Sequence, residues 1–149
     1  MPRVIRPLFA TSAAAAAAIA APAVAAAAPF DSQPTVLFCE SGMAAVQSVV
    51  HTNNDAVPPG EIFYVINEQG GDGANVGWLN IDSFQFGTQP LIPTEFLADG
   101  VFVPLTLAET GPGTVVSVVY GVYENAAGEM CGVIPGFTTD AVPAGGNAD

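Results

Sequence analysis

Between Thr114 and Ile134 the chain reads Thr-Val-Val-Ser-Val-Val-Tyr-Gly-Val-Tyr-Glu, then Asn-Ala-Ala-Gly, then Glu-Met-Cys-Gly-Val-Ile. Two β-rich runs around a four-residue turn predict a β-hairpin. Asn125 starts a type I turn through its side chain, and Gly128 supplies the positive φ that such a loop often needs. Val116, Val118, Tyr120 and Val122 recur at period two and share one face of the strand, while Val115 and Val119 lie on the other. A strand apolar on both sides belongs inside a sheet with something packed on each face. In the simplest four-residue-loop register Cys131 faces Val122, which puts the thiol on the buried side. A G1-bulge loop shifts that pairing by one residue.

The first 27 residues read as a secretory signal peptide. Arg3 and Arg6 precede an Ala-rich apolar stretch from Leu8 to Ala21, and Ala25-Ala26-Ala27 forms a small-residue cleavage site. The cut is expected after Ala27, within one residue. An uncleaved membrane anchor is the rival, and it suits the segment less well because alanine inserts weakly and Pro22 interrupts the run. Residues 28–140 then form a single secreted domain, and 141–149 a disordered tail.

Removing that segment removes every cation, because Arg3 and Arg6 are the only Lys or Arg residues in the sequence. All 14 carboxylates stay, giving a side-chain charge of −14 with His51 neutral. A chain without Lys or Arg has no arginine clamp and no cationic groove. Nucleic acid, phosphates and anionic membranes are therefore disfavoured partners. The acidic surface serves solubility, or it attracts a cationic or cell-wall surface. Two cysteines in an exported chain predict one disulfide, Cys39–Cys131, with both thiols reduced and buried as the alternative.

The remaining strands follow from turn chemistry. Thr35–Glu40, Met43–His51, Glu61–Asn67, Val76–Phe86 and Val101–Leu107 read as strands. A bulge or bend is expected near Asp82-Ser83, and Pro104 marks an edge or bulged strand. Met43–His51 also fits a short helix, but Val49-Val50 favour a strand. Gly87–Pro93 reads as a turn, Thr94–Leu97 as a short edge segment, and Phe137 onward as an edge strand that frays. About seven or eight short strands without a convincing helix argue an all-β fold. An antiparallel β-sandwich comes first and a barrel second.

Thr110-Gly-Pro-Gly-Thr-Val-Val leading into a long Val-rich strand, with Gly77-Trp78-Leu79-Asn80 upstream, resembles small secreted actinobacterial proteins with an immunoglobulin-like β-sandwich, mostly uncharacterised. The likeness covers about the last two-thirds of the mature chain and implies an immunoglobulin-like sandwich. The order Cys39…Trp78…Cys131 fits that likeness. The Cys39–Trp78 gap and Glu129, where the tyrosine corner would stand, depart from true immunoglobulin domains.

Candidate chemistry is sparse. His51 is the single histidine, and a hydrolase reading would recruit Ser48 or Ser41 with Asp55. The ordinary reading is a strand-end histidine. Gly70-Gly71-Asp72-Gly73-Ala74-Asn75 hints at a calcium loop with Glu68, Asp72 and Asn75 as oxygen ligands, against a flexible hairpin loop. Trp78, Tyr64, Phe84 and Phe86 form either a binding face or sandwich core. Val115–Tyr123, uncharged over nine residues, is either the central strand or a segment that pairs between chains in a self-assembling surface coat. The reading that results is a secreted extracellular or cell-surface binding or structural module without a cofactor.

Overall fold

One long strand holds two parts of the molecule together. In the computed structural model, which describes residues 31–40, 42–96 and 98–145, β8 spans Gly113–Glu124 and has partners along both edges. Its first half pairs with β4 (Ala74–Asn80) on one side and with β10 (Phe137–Val142) on the other. Its last residues pair with β9 (Met130–Ile134). The change of partner falls at Gly121, whose φ is 110°. A Cβ there would lie 2.6 Å from the Gly73 carbonyl oxygen, and one at Gly73 only 1.9 Å from that of Val122. Two glycines facing each other let the backbones of β4 and β8 close up where the strand bends.

The other strands are β1 (Asp31–Cys39), β2 (Gly42–Val50), β3 (Glu61–Ile66), β5 (Phe86–Pro90), β6 (Ile92–Glu95) and β7 (Phe102–Glu109). All pairings are antiparallel, and the order runs β5-β4-β8-β9-β1-β2-β3-β7-β6, with β10 off the path on β8. The sheet folds over on itself, so that β10-β8-β4-β5 faces the remaining strands as in a sandwich. The ends of the path, β5 and β6, are joined through the buried Leu91, whose amide donates to the Ala74 carbonyl at 2.9 Å. Gln89 Nε2 donates to Thr106 Oγ1 at 2.6 Å and to the Leu107 carbonyl at 2.9 Å. These contacts draw β5 against β7 and nearly close the sheet into a barrel, the second of the two architectures expected. The expected signal segment, residues 1–27, lies outside the described residues, as does Ser41.

Among the described residues, ten strands replace the expected seven or eight. The main difference is Val76–Phe86, which is a strand, a reversal and the start of a second strand. Asn80 makes the reversal. Its side-chain oxygen accepts from the amides of Asp82 and Ser83 at 3.1 and 3.2 Å. Its Nδ2 donates to the carbonyls of Thr110 and Pro112 at 2.9 and 3.0 Å. A fully buried amide satisfied on both sides pins two loops at once. Gly87–Pro93, expected as a turn, supplies most of β5 and the start of β6.

The register of the β8–β9 hairpin corrects a second expectation. Glu124 opposes Met130, so the loop is the five residues Asn125–Glu129, and Cys131 opposes Tyr123 rather than Val122. The Asn125 amide donates to the Glu129 carbonyl, and Gly128 takes a φ of 79°. This one-residue shift reverses the faces. Val115, Ser117, Val119 and Tyr123 point into the core, while Tyr120 and Val122 are exposed.

The core is built from Val46, Ile62, Tyr64, Ile66, Val76, Val115, Val119, Tyr123 and Cys131. A polar link crosses between the two halves: Ser48 on β2 donates to Asp140 on β10 at 3.2 Å. Within one half, the Ser117 and Thr138 hydroxyls of paired strands meet at 2.8 Å. Burial pushes the Tyr64 hydroxyl well above the ordinary tyrosine range; Ser117 opposes that shift and the Asp140 charge adds to it. Strand β10 continues past residue 140, where the domain was expected to end, because Val142 is buried opposite Gly113.

Candidate functional site

Cys39 and Cys131 form the expected disulfide, with Cα atoms 4.3 Å apart. Strands β1 and β9 pair at Val36↔Ile134, Leu37↔Val133 and Phe38↔Gly132, and the two cysteines continue that register. The separation is near the ~4.5 Å of a non-hydrogen-bonded antiparallel pair. The bond therefore staples neighbouring strands. Tyr123, opposite Cys131, places its hydroxyl 3.5 Å from Cys39 Sγ and donates a short hydrogen bond to Glu68. Burial raises the Tyr123 hydroxyl well above its usual range, and the Glu68 hydrogen bond and charge push it further.

The expected calcium ligands are turned to different places. Glu68 is held by Tyr123 and by Asn125 Nδ2 at 3.2 Å. Asn75 donates to the Gly73 carbonyl from the outer side of β4. Asp72 lines an open pocket of about 500 Å³ beside Phe102 and Glu124. Both cysteine sulfurs lie near the Glu68 carboxylate, but a disulfide offers no thiolate to a metal. The glycine-rich loop is also stitched down rather than free. Gly70 donates to the Phe102 carbonyl, Gly71 to that of Glu124, and Ala126 to that of Gln69.

His51 is half-buried at the end of β2. Its Nδ1 donates to the Val57 carbonyl at 2.7 Å, an acceptor that fixes the proton on that nitrogen. Ser48 points into the core toward Asp140, on the other face of the strand, and Asp55 is exposed. The structure does not assemble Ser48, His51 and Asp55 into a nucleophile–base–acid set.

The four aromatic residues divide. Tyr64 is core, and Trp78 packs against the core with its indole over Gly87. Phe84 and Phe86 are each 80 % exposed. Phe84 also holds a φ of 59°, the left-handed region that a bulky residue rarely occupies. It sits at the tip of the β4–β5 turn that Asn80 organises.

Phe86 belongs to a larger feature on the outer face of β10-β8-β4-β5. Strand register sets two cross-strand rows there. One runs Phe86, Leu79, Val116, Thr139, and the next Thr88, Gly77, Val118, Phe137. Phe137 is 72 % exposed. A shallow groove of about 370 Å³ runs over Gly77 between Leu79, Val116, Val118 and Phe137. Tyr120 leans toward Gly77 and bonds Thr88 through its hydroxyl at 2.8 Å. Neither row carries a charge, in a chain with 14 carboxylates, and the charge of the same parity on β8, Glu124, lies beyond them at the strand's end. Sequence reasoning picked out Phe86 and the Val116–Val122 stripe but not Phe137 or Leu79. The available signal was the absence of charge at alternate positions of four separate segments.

Comparison with protein-family models, with curated proteins and with solved structures finds no match.

Proposed function

We propose that this chain is an exported, non-catalytic module, extracellular or cell-surface, that binds or builds through the apolar outer face of β10, β8, β4 and β5. One observation carries the reading: Phe86 and Phe137 stand in solvent at opposite edges of an apolar sheet face whose two cross-strand rows hold no charged residue. Contiguous apolar surface of this kind marks interaction sites in folded proteins. The arginine-containing, alanine-rich start and the disulfide both fit export into an oxidising compartment. The rest of the surface, acidic and free of Lys and Arg beyond Arg6, disfavours nucleic acid and anionic membranes and suits a cationic or cell-wall environment. The reading uses no cofactor.

The test is binding of Nile red, an uncharged dye, by dilute folded protein. Fluorescence is expected to rise and shift to the blue with the parent chain. Phe86→Ser combined with Phe137→Ser is expected to remove most of that response with near-ultraviolet circular dichroism unchanged. Equal dye binding by parent and double variant refutes the assignment of the face.

A further inference from the structure

We infer that the occupant of this face is a second copy of the same chain, stacked sheet on sheet; the inference rests on the reading just given. Four observations converge on it. The first is layering. β8 carries valines on both faces, the pattern of a strand covered on two sides, yet one chain covers only the side of Val115 and Val119. A missing layer about 10 Å away is what a second sheet supplies.

The second is the edges. β8 pairs with β4 on one side and with β10 and β9 on the other, so its uncharged stretch has no edge left for adding a strand from another chain. Assembly through β8 must use its face. The third is area. At ~150–250 Å² per aromatic side chain, the exposures of Phe86 and Phe137 present roughly 230–380 Å². The half-exposed Leu79, Ile81, Tyr120 and Val122 bring the total to about 600 Å² per partner, the lower end of a standard interface of ~1,200 Å² or more in all.

The fourth is charge. Two copies carrying only carboxylates repel wherever acidic surfaces meet, and the two cross-strand rows of this face carry none, with Glu124 and Asp82 lying beyond them at its ends. The exported module would then act as a face-to-face dimer, a structural unit.

Sedimentation equilibrium of the chain lacking residues 1–27 tests this at low salt and in ~1 M NaCl, where the screening length falls to ~3 Å. The expected result is a monomer–dimer equilibrium that tightens with salt. Phe86→Asp and Phe137→Asp, both at exposed positions, are each expected to weaken dimerisation by about 30-fold or more, the loss typical of an aromatic anchor. Phe86→Ala and Phe137→Ala serve as milder variants if either aspartate disturbs folding. Ile92→Asp, exposed on β6, is expected to leave dimerisation unchanged. A monomer under all conditions overturns the inference. If that monomer still binds Nile red through Phe86 and Phe137, the functional reading survives it. A dimer insensitive to both phenylalanines overturns the inference as well, since the copies then meet elsewhere.

Discussion

Reducing the Cys39–Cys131 bond tests how the two ends of the chain are joined. The cysteines are 92 residues apart in sequence, yet they sit opposite each other on adjacent strands. β1 and β9 pair at Val36, Leu37 and Phe38 without help from sulfur, so the folded state is expected to change little on reduction. The effect then falls on the denatured chain, which regains the freedom of a loop of that length. The chain-entropy relation puts this at about 4.6 kcal/mol as an upper value. For a domain of this size 1 kcal/mol moves the midpoint by roughly 3–6 °C, so the shift is roughly 14–28 °C. Cys131 is fully buried, so the protein should be reduced while unfolded and then refolded with reductant present. Urea titration of the oxidised and reduced forms gives both stability and slope. Reduction is expected to lower stability by several kcal/mol and to raise the m-value, because the open denatured chain exposes more surface. A loss below about 1 kcal/mol with an unchanged m-value refutes the reasoning, since the denatured chain would not have been constrained by the bond.

Gly73→Ala is expected to cost about 3 kcal/mol or more in chemical denaturation. It adds backbone strain at a φ of 126° to a contact of 1.9 Å that only parting β4 from β8 can relieve. A loss under about 1 kcal/mol would show that the two backbones are not in contact at that bend. High pH should unfold the protein through Tyr64 and Tyr123. Burial raises both hydroxyls above the ordinary tyrosine value of about 10, so the folded state holds their protons longer than the unfolded state does. Their contribution is intact below that pH and is lost as pH rises above it, at about 1.4 kcal/mol per pH unit for each tyrosine kept neutral. Phenolate absorbance followed together with circular dichroism should show these two tyrosines ionising only as the fold opens. Their ionisation in a protein of native ellipticity would contradict the burial.

Some of the candidate site was legible and some was not, for reasons that differ by residue. The disulfide was readable because the chain holds only two cysteines, so the pairing needed no geometry. Glu68, Asp72 and Asn75 looked like a ligand set because they are close in sequence. Tyr123 and Asn125, more than 50 residues away, take Glu68 for themselves. His51 looked available, but the Val57 carbonyl in the following loop occupies its Nδ1. Phe137 carried no local mark. It joins Val118, Gly77 and Leu79 only through strand register.

What the sequence determined by itself is the extended, antiparallel character of the chain, its acidity and its one covalent tie. Each rests on alternation, turn residues or simple counting, which need no knowledge of distant partners. Which face of β8 lies inside was a tertiary decision. Valines of both parities make local periodicity degenerate there, and the five-residue Asn125–Glu129 loop broke the tie by setting Tyr123 rather than Val122 against Cys131. The split of Val76–Phe86 was decided in the same way, because Asn80 turns the chain only when the Thr110–Pro112 carbonyls are there to receive its amide.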